Sequence, residues 1–303
     1  MYSLQVIVNK AVKIHNINPV ESHMIVDFHT HIFPSDIRTK KKRFFSNEPA
    51  FKLLYESDRS KMVGAQELIK SMDQQGVDKS VVFGFPWCNS ELIQYHNDYV
   101  INAVKAYPDR LIGLCCFDMD FNEAEQEILR CVDAGLSGVG ELASYTKPID
   151  QILLEKLAPV MTLCEKNALP LLLHANEPVG HNYPGKAPDS LSGVYQIVSS
   201  FPQNIIVLAH WGGGLFFYSL MKKEVKEKLT NVFFDTAASP FLYHKKIYSL
   251  ARDLIGVEKI LFGSDFPLIK PERYFKELEH SGLNASELSL LKGGNAARLF
   301  NLV

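Results

Sequence analysis

The chain has 303 residues, 47% hydrophobic and 22% charged, an ordinary soluble globular balance that suits either two small domains or one α/β barrel. A formal net charge of −2 offers no bulk attraction to nucleic acid or to an anionic membrane. No apolar run approaches the ~20 residues needed to span a bilayer, and residues 1–23 lack a signal-peptide core, so a cytoplasmic protein is expected.

In chain order, the short apolar runs that read as buried strands are MIVDF (24–28), KSVVFGF (79–85), RLIGLCCF (110–117) and LSGVGEL (136–142). LPLLLH (169–174), NIIVLAH (204–210), NVFFDTA (231–237) and KILFGSD (259–265) follow. Most show no polar/apolar alternation, as parallel strands covered on both faces require. Helical patterns lie between them at 65–76, 91–108, 123–135, 153–168 and 192–202. The first and third close on Gly76 and Gly135 and the second on Pro108, which are residues that end helices. With strand ends at 28, 85, 116, 141, 173, 209, 235 and 264, successive intervals are 57, 31, 25, 32, 36, 26 and 29 residues. Six of the seven match one strand plus one crossover helix, so the expected fold is an α/β (β/α)8 TIM barrel over residues 24–303, preceded by an N-terminal extension, residues 1–23. A doubly wound open sheet is the alternative, but HTHIFP after the first strand is no Gly-rich dinucleotide turn.

The 57-residue interval marks an insertion over about residues 32–64. It contains RTKKKRFF (38–45), which reads either as a lid element facing an anionic substrate or as a solvated basic loop. The five cysteines, Cys88, Cys115, Cys116, Cys131 and Cys164, form no C-x-x-C pair and read as reduced core or strand thiols.

The strand ends carry the chemistry. The first ends in His29 and His31, the fourth in Glu141, the fifth in His174, the sixth in His210 and the eighth in Asp265. Imidazole and carboxylate are ligands for zinc and similar divalent ions, and a parallel barrel brings all its strand C-termini to one rim. Each residue alone has a bland explanation, such as a strand-end histidine, a salt-bridge partner or a capping aspartate. Together they predict a metal site at the C-terminal rim. The rim loops supply candidate substrate contacts. These are Trp87 with Phe85 as an apolar wall, His181, Tyr183 and Lys186 in the loop after strand five, and Trp211 before three glycines. Lys186 or Arg38 would pair with a substrate carboxylate.

The order His-x-His, acid, His, His, Asp, with the strings MIVDFHTHIFP, LLLHAN, VLAHWGGG, ILFGSDFP and GNAARLF, resembles the amidohydrolase superfamily, and within it the amidohydrolase-related family. That family includes aminocarboxymuconate semialdehyde decarboxylase and dicarboxylate-lactone hydrolases. The resemblance spans residues 24 to 303. It implies His29, His31, His174 and Asp265 as ligands of the main metal. His210 would bind a second metal or act as an acid or base beside the reaction centre. Glu141 would bridge two metals or orient a ligand histidine. The expected cofactor is one or two divalent ions, Zn2+ first, with Mn2+ and Fe2+ as alternatives. The expected chemistry is hydrolysis of a small amide, cyclic amide or lactone by metal-activated water, with Asp265 as general base and His210 stabilising the developing oxyanion. Decarboxylation or hydration of an unsaturated carboxylic acid is the alternative, and a non-catalytic barrel scaffold or sensor the third reading. The expected partner is a small molecule, with no nucleic acid and no membrane. A homodimer is the assembly to test.

Overall fold

The computed structural model describes residues 24–188 and 191–302; the extension expected over residues 1–23 lies outside the described residues. Among the described residues there are eight strands: β1 (Val26–His31), β2 (Lys79–Phe83), β3 (Leu111–Gly113), β4 (Val139–Leu142), β5 (Leu171–Leu173), β6 (Ile206–Leu208), β7 (Val232–Asp235) and β8 (Ile260–Leu261). All pairings are parallel, in the orders β1-β2-β3 and β4-β5-β6-β7-β8. Backbone bonds close both seams. Cys115 donates to Gly138 and Gly140 donates to Cys115 between β3 and β4. Phe28 donates to Phe262, Asp265 to His29 and His31 to Phe266 between β8 and β1. The result is the eight-stranded barrel that the spacing predicted.

The lack of alternation in the strands now has its reason. One set of side chains, including Phe28, Phe83, Leu114, Leu172 and Val207, fills the barrel lumen. The intervening set, including Val82, Leu171, Leu208 and Phe234, packs outward against the helices. Both faces are apolar because both are buried. The C-terminal helix Asn295–Phe300 plugs the lower mouth, where Phe300 stacks on Phe28 at 5.6 Å and Ala296 joins the lumen cluster. The chemistry is left to the opposite rim.

Helix boundaries follow local caps. Gly76 ends the helix Ala65–Gln75 with φ +68°, the left-handed conformation that glycine adopts freely. The helix expected at 153–168 runs Gln151–Lys166, because the Asp150 side chain caps it by accepting from Leu153 N at 2.9 Å. All five cysteines are free and four are buried.

The insertion after β1 folds into the helix Ser35–Thr39, a 3-10 turn Lys41–Phe44 and the helix Pro49–Tyr55. It is anchored by the fully buried Glu48, which accepts from Cys88 N at 3.0 Å and Asn89 N at 2.9 Å, and by Phe51 against Trp87 at 4.5 Å. Lys40, Lys42 and Arg43 are exposed, and Arg38 is tied to Glu67 at 2.5 Å.

Under this insertion His96 is fully buried, and its two neighbours fix its tautomer. Its Nε2–H donates to the Ile32 carbonyl at 2.7 Å, so Nδ1 is the nitrogen that accepts from the Trp87 indole at 2.8 Å. Burial pushes its pKa down to about 4. The unfolded chain takes up this proton near pH 6.5, whereas the folded one resists it until about pH 4. His96 therefore costs no stability above pH 6.5 and removes about 1.4 kcal/mol per pH unit as pH falls through that window. Urea unfolding at pH 7 and pH 4.5 checks this. The stability gap between wild type and His96→Gln is expected to narrow at the lower pH, and an unchanged gap rejects the assignment.

Candidate metal centre

Two histidines of β1 set the centre. Alternate residues of an extended strand face the same side, so His29 and His31 both project into the rim. His29 Nδ1 lies 2.8 Å from Asp235 Oδ2 and His31 Nδ1 lies 3.4 Å from the Gly84 carbonyl. Each Nδ1 thus carries the donated proton, and the two Nε2 lone pairs converge at 3.3 Å. Asp265 Oδ1 lies 3.4 Å from His31 Nε2 and 3.7 Å from His29 Nε2. Glu141 Oε2 lies 3.7 Å from His29 Nε2 and 3.8 Å from His31 Nε2. Ligands about 2.0–2.2 Å from a divalent ion stand about 3–3.5 Å from one another, so these separations fit a cation among the four groups. The converging lone pairs also require a positive charge between them. The donor groups fall into two overlapping sets, His29–His31–Asp265 and His29–Glu141–His210.

Close backbone approaches make this geometry. A Cβ on Gly263 would stand 2.8 Å from His29 Cβ, so only glycine lets the segment after β8 lie this close to His29. Gly140 has φ +131° and would meet the Leu172 carbonyl at 2.5 Å if it carried a Cβ; this turns Glu141 into the site. Ser264 donates to Asp27 from N at 2.8 Å and from Oγ at 2.5 Å, which fastens the residue before Asp265 to the strand that carries the histidines.

His174 and His210 reach the centre through Glu141. His174 Nδ1 is 3.0 Å from Glu141 Oε1, and its Nε2 donates to the Gly185 carbonyl at 3.1 Å. His174 therefore belongs to the cluster, but its two nitrogens face Glu141 and the loop after β5 rather than the two β1 histidines. His210 Nδ1–H points at the Ala237 carbonyl at 3.1 Å, which leaves Nε2 facing Glu141 Oε1 at 3.6 Å.

Burial opposes charge throughout the cluster, and pairing overrides it. Burial would push Glu141 up, yet the His29 and His174 charges hold it well below the usual carboxylate range. Burial acts the same way on Asp265, and the His31 hydrogen bond with the His29 and His210 charges brings it to about 2. Burial would strip His29 of its proton, but Glu141 and Asp235 raise its pKa to about 10. His210 is raised too, against burial, by Glu141 and Asp265. Ionised carboxylates and a retained positive charge are what a cation site looks like electrostatically when a proton stands in for the ion.

Asp235 was not among the residues singled out from sequence. It ends β7, one of the three strand ends for which no ligand was named, and that position was its only sequence signal. It is fully buried, orients His29 through Nδ1 and accepts from the backbone N of His210 and Ala237, each at 2.9 Å. Asp235→Asn is expected to weaken metal binding about 10–100-fold with the fold retained, because His29 loses its orienting acceptor. Metal titration followed by calorimetry measures this, and wild-type affinity in the variant contradicts the role.

The expected substrate contacts are placed differently. Trp87 is fully buried, with its indole N–H on His96, and it supports the insertion rather than walling the site. Trp211 is also fully buried, bonded to Ser239 Oγ at 2.9 Å and packed on Tyr248 at 5.5 Å. His181 is exposed on the loop after β5. Lys186 is held by Glu177 at 3.3 Å and by the Val179 carbonyl at 3.0 Å, and Tyr183 donates to Glu177 at 2.9 Å, so this loop satisfies its own polar groups. The rings that meet the centre are others. Phe83 stands edge-on to His29 at 5.1 Å and to His31 at 4.7 Å. Phe85 stacks with Tyr145, which contacts His174 at 5.1 Å. No helix among the described residues is long and apolar enough to cross a membrane.

Comparison with known proteins finds relatives along most of the chain. A curated relative, the 2-amino-3-carboxymuconate-6-semialdehyde decarboxylase of Dictyostelium discoideum, is 24% identical over 333 residues, covering 91% of each chain. The 5-carboxyvanillate decarboxylase of Novosphingobium aromaticivorans, solved with manganese and 4-hydroxy-3-methoxy-5-nitrobenzoic acid, superposes with a TM-score of 0.73 at 14% identity, over 94% of this chain and 97% of that one. A probable 2-pyrone-4,6-dicarboxylic acid hydrolase of Acinetobacter baumannii reaches 0.63 at 16% identity, over 91% and 99%. The pattern of the Amidohydrolase family matches residues 26–302, and the chain belongs to that family.

Proposed function

We propose that this enzyme is a metal-dependent decarboxylase of a small, planar, unsaturated carboxylic acid. The observation that carries the reading is the set of buried His29 and Glu141 with partly buried His31 and Asp265, beside the rings of Phe83, Phe85 and Tyr145. The relationship to a decarboxylase along 91% of both chains supports it. His29, His31, Asp265 and Glu141 would hold the ion, with His174 joining from the Glu141 side. When bound, the ion supplies positive charge that binds the substrate oxygens and draws electron density from the conjugated system. His210 supplies the proton. Its Nδ1–H is fixed on Ala237, and Glu141 and Asp265 raise the proton affinity of its Nε2. The proton goes to the substrate carbon, the bond from that carbon to the carboxylate breaks, its electron pair returns to the conjugated system, and CO2 leaves.

Hydrolysis of a lactone or amide is the second reading. The observation that favours it is Asp265, a partly buried carboxylate held ionised down to about pH 2 and so able to accept a proton from water. The donor set suits Zn2+ and Mn2+ alike, and the manganese in the similar decarboxylase puts Mn2+ beside the Zn2+ expected from sequence. A cytoplasmic location, a homodimer, a single barrel domain from residue 24 and a carboxylate-bearing substrate complete this reading.

A panel tests it. Protein loaded with Zn2+ or Mn2+ is incubated with 5-carboxyvanillate, 2-amino-3-carboxymuconate semialdehyde and 2-pyrone-4,6-dicarboxylate, with CO2 release and ring opening measured separately. CO2 release that is lost in His210→Ala is the expected result. Ring opening without CO2 release overturns decarboxylation in favour of hydrolysis.

A further inference from the structure

The insertion after β1 brings one polar ring against Phe85, which in turn stacks on the Tyr145 that contacts His174, and it is not a basic side chain. Tyr55 ends the helix Pro49–Tyr55 and sets its ring edge-on to Phe85 at 5.9 Å. Tyr145, from the loop after β4, lies parallel to Phe85 at 6.2 Å with the planes 7° apart, and its ring stands 5.1 Å from that of His174. Both tyrosines are half-buried, and both feel the charges of Glu141 and Asp265. Neither hydroxyl has a hydrogen-bond partner among the described residues. A half-buried phenol beside ionised carboxylates, with no protein acceptor, is a donor left over by the fold. The cations expected to meet a substrate carboxylate are already engaged, Lys186 with Glu177 and Arg38 with Glu67.

We propose that Tyr55 and Tyr145 are specificity-determining donors: their hydroxyls together hold a carboxylate that the metal set does not take, and Phe85 fixes the spacing between them. This deepens the proposed function and rests on its planar acid substrate. It gives the insertion a role in selecting substrate, through one neutral phenol rather than through the run Lys40–Arg43. Two neutral donors bind a carboxylate without a buried counter-charge that would compete with the ion for Glu141 and Asp265.

The test uses the Mn2+-loaded protein and a probe that need not react. Tyr55→Phe, Tyr145→Phe and the double variant are compared with wild type for binding of 4-hydroxy-3-methoxy-5-nitrobenzoic acid, and of 2-methoxy-6-nitrophenol, the same ring without its carboxyl group. Each single variant is expected to bind the acid about tenfold more weakly, and the double variant about 100-fold, with metal content and Tm unchanged. The carboxyl-free ring is expected to bind all four proteins equally. Equal binding of the acid to wild type and variants overturns the proposal, as does equal weakening for both probes, a fall in Tm that tracks the loss, or failure of wild type to bind the acid. The decarboxylase reading fails separately: selective loss of acid binding with no CO2 release from any substrate keeps the clamp and removes that chemistry.

Discussion

Asp265→Asn is expected to keep the barrel folded and to lower kcat by about 10²–10⁴-fold, because it weakens both the cation site and the proton transfer from His210. The substitution keeps the shape of the side chain and removes its charge. In the wild-type cluster that charge does two things. It lies 3.4 Å from His31 Nε2 and 3.7 Å from His29 Nε2, and so helps hold the cation. It also raises the proton affinity of His210. A general acid is active while protonated, so its activity falls as pH rises through its pKa. Removing Asp265 lowers that pKa, and the high-pH limb of the rate profile moves to lower pH. Circular dichroism, metal content and kcat against pH, measured together, separate the two effects. Unchanged kcat rejects a catalytic role for Asp265.

Metal uptake is expected to release about one proton near neutral pH and to tighten about tenfold per pH unit between pH 6 and pH 9. The carboxylates contribute nothing to this slope, because Asp265 is already ionised above about pH 2 and Glu141 is held well below the ordinary range. His29 supplies the proton. Without the ion its pKa is about 10, so at pH 7 a proton sits on it that the ion must displace. Above pH 10 that competition vanishes and the affinity levels off. Calorimetric titration of chelator-stripped protein, in buffers of different ionisation enthalpy, counts the proton directly. Stripping is expected to abolish turnover, and Mn2+ or Zn2+ to restore it. An affinity independent of pH contradicts this account of the centre.

Most of the cluster was legible before any coordinates because its logic is topological. His29, His31, Glu141, His174, His210 and Asp265 each end a run of apolar residues, and the spacing of those runs predicted a parallel barrel. In such a barrel every strand end meets at one rim, so six residues spread over 237 positions needed no tertiary information to be grouped. Asp235 had the same signal at the end of β7 and differs only in its partner. It faces the far nitrogen of His29, and a carboxylate that orients a ligand reads like one that binds the ion.

Rotamers and long-range pairings stayed out of reach. Nothing local in NEPVGHNYPGK shows that Lys186 turns back onto Glu177, or that Gly185 offers its carbonyl to His174. Trp87 and Trp211 stand near the rim in sequence, yet each puts its indole N–H on a partner 9 or 28 positions away and loses all exposure. The run Lys40–Arg43 drew attention by its charge and three of its four side chains are exposed, while the apolar helix that follows brings Tyr55 against Phe85. The pattern of apolar strands and the chemical type of their last residues determined the barrel and its donor set. Side-chain direction depends on what packs beside each residue, so only the tertiary structure decided which nitrogen faces the ion, which carboxylate orients it and which donors remain for substrate.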